Sequence, residues 1–252
     1  MPSSASDRGP KRAVVTGAAR GIGRATAQLL ARDGMAVVAV DLAADGLESL
    51  TDAGIERLVV DVSDPEGRER IWDAAGEADY LVNAAGIIRA KPILELTVDD
   101  WQDVLSVNAE AVFFLCQGIG PRLRPGGAIV NVSSSSAKLA TTTEVATYAA
   151  SKSAVASITR SFAYALAEIP IRVNAILPGI IDTPMQDAVL AGVAASRNID
   201  FAELSANRTA AVPLARTGSP EECARLIRFL LSEDAAYMTG QSVNLTGGLV
   251  TW

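Results

Sequence analysis

The sequence predicts an α/β fold: a doubly wound parallel sheet flanked by helices, in one domain. Three observations predict it. Short β-branched runs alternate with longer helical patterns, the order that puts helices on both faces of a sheet. The runs are apolar nearly throughout instead of alternating with polar residues, which marks strands covered on both sides. A glycine-rich turn directly follows the first run and opens the first helix, as in strand–turn–helix units that receive a phosphate.

Taken in order, strands are expected at residues 13–16, 36–40, 57–60, 80–83, 128–132, 171–176 and 242–245, and helices at 22–33, 101–123, 147–168 and 220–232. Residues 107–115 of the second helix are apolar almost all round, so that helix is expected to be buried on more than one side, by a subunit contact or by the core. Residues 183–217 are less regular, and a long excursion between the last two strands reads as a substrate-covering region. No linker or repeat interrupts residues 13–252, which form one domain; residues 1–12, polar with Pro2 and Pro10, read as a disordered tail.

Composition removes several function classes. The chain has 252 residues, 49% apolar and 20% charged, ample for one large core. Its formal charge of -7 argues against nucleic acid or an anionic membrane as partner. It has 0 histidines, which excludes imidazole metal sites, Ser-His-Asp triads and histidine bases. Cys116 and Cys223 have neither metal-ligand spacing nor a disulfide framework and read as buried free thiols, so no metal is expected. No uninterrupted apolar run reaches membrane-spanning length and no secretion signal opens the chain, so a soluble cytoplasmic protein is expected.

The strand ends carry a cofactor site. In Thr16-Gly17-Ala18-Ala19-Arg20-Gly21-Ile22-Gly23, glycines let backbone N–H groups approach a pyrophosphate at a helix N-terminus. Asp41 ends the second strand, where a carboxylate can accept from both hydroxyls of an adenosine ribose and repel a 2′-phosphate. NAD is therefore favoured over NADP, although Arg20 could reach a 2′-phosphate, and Asp41 could equally cap a helix. Asp61, with Val62, ends the third strand and could bond the adenine amino group or cap a turn. Asn83-Ala84-Ala85-Gly86 ends the fourth, where small residues let the backbone pass close to a cofactor or merely end the strand. All of these ends face one crevice.

Tyr148 and Lys152 stand four residues apart, on one face of a helix. A tyrosine loses its proton near pH ~10, and a fixed positive charge beside it favours the phenolate. Such a pair can handle a proton at an oxygen atom.

Taken together, Thr16-Gly17-x3-Gly21-Ile22-Gly23, Asn83-Ala84-Ala85-Gly86, Asn108, the serine run after the fifth strand, Tyr148-x3-Lys152 and Asn174-x3-Pro178-Gly179 occur in the order of the short-chain dehydrogenase/reductase family, which the chain resembles from Ala13 to about Gly248. The resemblance implies a Rossmann-like domain with a seven-stranded parallel sheet, assembled as a homotetramer. It makes Tyr148 the acid/base, Lys152 the group that lowers its pKa and holds the nicotinamide ribose, and Asn108 the anchor of a water relay. Pro178, Gly179, Ile181 and Thr183 would contact the nicotinamide. For the serine that polarises the substrate oxygen, aligning the strand end in Val132-Ser133-Ser134-Ser135-Ser136 selects Ser134, whereas counting back about 13 residues from the tyrosine selects Ser135.

The activity so implied is reversible NAD-dependent oxidation of a secondary alcohol to a ketone. A preference for NAD suggests the oxidative direction, so polyols, sugars or small hydroxy compounds are the expected substrates. Arg197, Asn198, Glu203, Asn207 and Arg208 in the 186–216 stretch either face such hydroxylated ligands or simply solvate a mobile loop. The alternatives are an NADPH-dependent ketoacyl-thioester or carbonyl reductase and, more remotely, a NAD-binding regulator without turnover.

Overall fold

A computed structural model of the chain describes residues 9–140 and 142–252. Its strands are β1 (Arg12–Thr16), β2 (Ala36–Asp41), β3 (Ile55–Val59), β4 (Tyr80–Asn83), β5 (Ala128–Val132), β6 (Arg172–Pro178) and β7 (Ser242–Leu245). They form a seven-stranded sheet in the order β3-β2-β1-β4-β5-β6-β7, and every pairing is parallel. The helices are α1 (Gly21–Arg32), α2 (Ala44–Glu48), α3 (Pro65–Ala75), α4 (Val98–Leu105), α5 (Ala111–Ile119), α6 (Ala146–Ala165), α7 (Pro184–Arg197), α8 (Phe201–Ala210) and α9 (Pro220–Leu231).

Strand alternation sends consecutive side chains to opposite faces. Ala13 and Val15 of β1 pack with Leu30 of α1 and with Ile227 and Leu230 of α9. Val14, between them, joins Ile71 of α3, Leu115 of α5 and Val155 and Phe162 of α6 on the other face. The apolar runs thus arise from burial on both sides. The strand order reverses between β1 and β4, and this switch point opens a crevice at the carboxyl ends of the strands.

Several boundaries differ from the sequence reading. β1 begins at Arg12, whose backbone N–H donates to Asp79 Oδ2 at 2.7 Å, while Lys11 Nζ donates to the Tyr80 hydroxyl at 2.6 Å. Lys11 and Arg12 are thus tied to the sheet, and residues 1–8 of the expected disordered tail lie outside the described ones. Helix α3 was not anticipated, because its apolar stripe is thin. Its start is nevertheless written in the sequence: Asp64 accepts from the backbone N–H groups of Glu66 and Gly67, and Pro65 occupies the first turn. The short α2 carries little apolar signal, with Leu47 its buried residue.

The expected helix over 101–123 is interrupted by a π-helical turn at Ser106–Glu110, between α4 and α5. The continuous helical stretch Val98–Arg122 spans 25 residues and is apolar enough to cross a membrane by length and composition, yet 50% of its most apolar window is buried in the domain. Val104, Val112, Leu115, Cys116 and Ile119 account for its apolarity by packing into the core. Cys116 and Cys223 are buried free thiols, and burial pushes both up to about 12.

The irregular stretch after β6 is also helical. Thr183 caps α7 and Asp200 caps α8. Asn198 ends α7 in the left-handed region at φ 52°, a conformation asparagine tolerates better than most residues.

Candidate active site

The turn after β1 forms the floor of a groove of roughly 530 Å³ at the switch point. Gly17 has φ +68°, and a Cβ there would lie 2.7 Å from the Ala84 carbonyl oxygen. A Cβ on Gly23 would come within 2.1 Å of the Gly17 carbonyl oxygen. Any side chain would push the turn away from β4 or from α1, so glycine keeps the cradle low enough for a pyrophosphate to meet the α1 N-terminus. Gly17, Arg20, Gly21, Ile22, Gly23, Asp41, Asp61, Val62, Ala84, Gly86 and Thr183 all line this groove.

Asp41 accepts from the Ala19 N–H through Oδ2 and from the Ala43 N–H through Oδ1, each at 3.0 Å. These bonds stitch the glycine turn to the end of β2 and fix a carboxylate at the groove wall. Asp61 Oδ1 accepts from the Ser63 N–H at 2.8 Å and the Ser63 hydroxyl at 2.7 Å, so it closes a turn as well as lining the groove. The Asn83 side chain turns inward instead. Its Nδ2 donates to Asn131 Oδ1 at 2.8 Å, and Asn131 donates to Thr159. Thr16 supplies the link that sequence reading missed: its hydroxyl accepts from the N–H groups of Ala84 and Ala85 at 3.1 and 3.2 Å, holding the β4 end against the β1 turn.

Beyond the groove stand the residues of the expected chemistry. Tyr148 opens α6, and Lys152 lies one turn later with Nζ 5.6 Å from the Tyr148 ring centroid. Lys152 Nζ is aimed at the Val132 carbonyl oxygen, to which it donates at 2.8 Å. Burial lowers Lys152 to about 8. Burial likewise raises Tyr148, and the Ser134 hydroxyl, within hydrogen-bonding reach of the phenol, pulls it partly back. Both groups project from one helix into a dense site, where desolvation is the largest influence on each.

The serines of the run make different contacts. Ser134, 7% exposed, is the serine that reaches Tyr148. Ser133 donates to the Lys152 carbonyl at 2.7 Å, tying β5 to α6, while Ser135 and Ser136 form a short 3-10 turn. Asn108, fully buried at the π-turn, accepts from the Ile87 N–H at 2.8 Å and donates to the Ser151 hydroxyl at 3.0 Å. Ser151 in turn donates to the Tyr148 carbonyl at 2.7 Å. Such π-turns are common at functional sites, since the extra residue redirects a side chain. A Cβ on Gly86 would sit 3.4 Å from both Asn108 Oδ1 and Lys152 Nζ, so the three groups share one corner.

Tyr148 and Ser134 face a second pocket of about 190 Å³, lined mainly by apolar side chains including Ile88, Leu139, Val145, Ile180, Met185, Val189 and Leu249. Gly179 lines this pocket, Ile181 faces a smaller cavity behind it, and Pro178 ends β6 in the buried sheet. Most polar residues expected to face the substrate do not. Arg197 pairs bidentately with Glu144, through Nε and Nη2 at 2.7 Å each. Asn198 ends α7, and Glu203 and Asn207 are exposed. Arg208 alone of that set lines the pocket.

The Arg197–Glu144 pair pins α7 over the loop that carries Thr142 and Val145. Arg197 and the Thr142 hydroxyl hold the Glu144 carboxyl down to about 2. A carboxylate depressed in the folded state contributes stability above its ordinary pKa of about 4.5 and loses it as pH falls through about 2. Arg197→Met is expected to cost on the order of 1 kcal/mol at pH 7, after discounting for the partly exposed guanidinium. It should also raise KM more than it lowers kcat. Thermal melts from pH 7 to pH 3 check this; a variant whose difference from wild type does not shrink toward low pH would contradict it.

A sequence profile described as enoyl-(acyl carrier protein) reductase matches residues 17–250. A 3-oxoacyl-[acyl-carrier-protein] reductase of Thermotoga maritima is 37% identical over 94% of this chain and 96% of its own. Among solved structures, levodione reductase superposes with a TM-score of 0.88 at 31% identity, covering 96% of this chain and 98% of that one. A variant of actinorhodin polyketide ketoreductase solved with NADPH superposes with a TM-score of 0.89 at 30% identity, covering 96% and 98%. The chain belongs to the short-chain dehydrogenase/reductase family. It is an NAD(P)-dependent oxidoreductase acting on carbonyl and hydroxyl groups.

Proposed function

We propose that the enzyme is a carbonyl reductase, which converts a small ketone to a secondary alcohol with Tyr148 as the proton donor. The observation that carries this reading is the Ser134–Tyr148 pair at the head of an apolar pocket. Burial keeps the Tyr148 proton in place at neutral pH, which is the state an acid needs to donate to a carbonyl oxygen. Ser134 donates to the same oxygen and holds it beside the phenol. Lys152, lowered to about 8, supplies a charge that steadies the phenolate left behind. Asn108 and Ser151 brace the first turn of α6 and so fix where the phenol points. A reduced nicotinamide cofactor held by the groove would supply the hydride for the substrate carbon. The hydride and the Tyr148 proton together balance the conversion of ketone to alcohol.

Relatives support the reductive direction. Besides the Thermotoga maritima protein, a 3-oxoacyl-[acyl-carrier-protein] reductase of Escherichia coli is 32% identical over 95% of this chain and 97% of its own. The apolar part of the pocket lining, Ile88, Leu139, Val145, Ile180, Met185, Val189 and Leu249, suits a compact ketone better than a polyol or sugar. A second reading, oxidation of a secondary alcohol with NAD, draws on Asp41 and on likeness to the aldohexose dehydrogenase of Thermoplasma acidophilum, which superposes with a TM-score of 0.85 at 28% identity.

For the cofactor we infer NADH. The Asp41 carboxylate stands at the groove wall where a 2′-phosphate would meet like charge, while Arg20 is exposed at the rim and neutralises it incompletely. Asp41→Ala is expected to raise kcat/KM for NADPH relative to NADH by about 10-fold or more, equivalent to ~1.4 kcal/mol. The test is initial-rate absorbance of both reduced cofactors against a panel of ketones and of the matching alcohols. An NADPH preference in wild type would overturn the cofactor assignment and make Arg20 the discriminating residue. Turnover confined to alcohols would overturn the reductase reading.

A further inference from the structure

Arg208 is a half-buried guanidinium without a protein partner among the described residues. The other described arginines that are not classed with the exposed surface are all satisfied. Arg12 and Arg124 reach carboxylates, Arg24 and Arg172 reach backbone carbonyls, and Arg68 reaches both. Arg208 has neither, and its position on α8 places it in the wall of the Tyr148 pocket. It is the only charged residue among the described ones lining that pocket, and no carboxylate lines it.

A second donor lies in the same wall. Gln186 Nε2, in the first turn of α7, is buried and has no hydrogen-bond partner. Covering a cation or an amide without a partner is costly, and proteins ordinarily pair such groups. Two donors left unpaired in one pocket, one of them its only charged group among the described residues, match a ligand that brings an acceptor with negative charge.

We propose that the substrate is a small oxo acid, whose ketone oxygen meets Tyr148 and Ser134 while its carboxylate is held by Arg208 and Gln186. This rests on the carbonyl reductase reading and narrows its substrate class. Burial lowers the Arg208 pKa, and a guanidinium, unlike an ammonium, keeps its charge in proteins. The pocket of about 190 Å³ is small, below the roughly 300–1,000 Å³ of sites for drug-sized ligands. Arg208 would be a binding and specificity residue, with no part in proton transfer.

The test uses short 3-, 4- and 5-oxo acids and their neutral carboxamides, with wild type, Arg208→Met and Arg208→Lys. Turnover and, by calorimetry with cofactor present, dissociation constants are measured for each pair. Wild type is expected to favour one acid over its amide by about 10- to 100-fold in kcat/KM, the worth of a charge-assisted bond. Arg208→Met should lose most of that preference on the acid while leaving the amide within about 3-fold, and Arg208→Lys should recover part of it. Equal handling of acid and amide by wild type, or equal losses on both in Arg208→Met, would overturn the inference and leave the reductase reading standing. Selective, Arg208-dependent binding of the acids without turnover of any ketone would overturn the reductase reading and retain the anion site. Absence of both turnover and acid binding overturns the two together.

Discussion

Tyr148→Phe is expected to lower kcat by about 10²- to 10⁴-fold, the range that a positioned general acid supplies, while the dissociation constant for NADH stays within about 3-fold of wild type. The reason is local. Tyr148 faces the substrate pocket and is absent from the walls of the cofactor groove. Removing one hydroxyl from the pocket leaves the glycine turn, Asp41 and the Thr16 link untouched. Stopped-flow fluorescence of NADH binding alongside steady-state rates separates the two effects. A variant retaining more than about a tenth of wild-type kcat would remove Tyr148 from the proton-donor role.

Lys152→Met is expected to destroy activity and yet to stabilise the apoprotein at neutral pH by about 1–3 kcal/mol, as replacement of buried ionic groups often does. Lys152 is 4% exposed and burial lowers it from 10.5 to about 8. Its ammonium therefore folds at a penalty that is full below pH 8, where both folded and unfolded chains are protonated. Between about 8 and 10.5 the folded chain sheds the proton first, so the unfolded chain binds more protons and wild-type stability rises with pH. The advantage of Lys152→Met should shrink across that window. The bond from Nζ to the Val132 carbonyl offsets part of the penalty, and the methionine forfeits it. Melting temperatures of the two proteins at pH 7, 8, 9 and 10 decide the matter. A variant less stable than wild type at every pH would mean that this hydrogen bond outweighs the desolvation.

The polar residues of the 186–216 stretch separate in the structure for a specific reason. Arg197, Asn198, Glu203, Asn207 and Arg208 are equally polar as letters, but α7 and α8 turn each in a different direction. Arg197 meets Glu144 across a gap of 53 positions in the chain, a pairing that no local pattern announces. Helix geometry then leaves Arg208 facing inward and Asn207, one residue earlier, in solvent. The π-turn at Asn108 is similar: its sequence reads as ordinary helix, and only the fit of Asn108 against Ile87 and Ser151 reveals the extra residue.

The sequence by itself determined the parallel sheet and the place of each strand, because burial on both faces demands contiguous apolar runs that a single strand displays. It also determined the phosphate-binding turn and the Tyr148–Lys152 face, since both depend on spacings within a few residues. Tertiary structure alone decided which serine stands nearest the phenol, how strongly Tyr148 and Lys152 are desolvated, and that Arg208 is left without a partner among the described residues. Those properties depend on what distant segments bring to one point, and burial and partnership are sums over that whole neighbourhood.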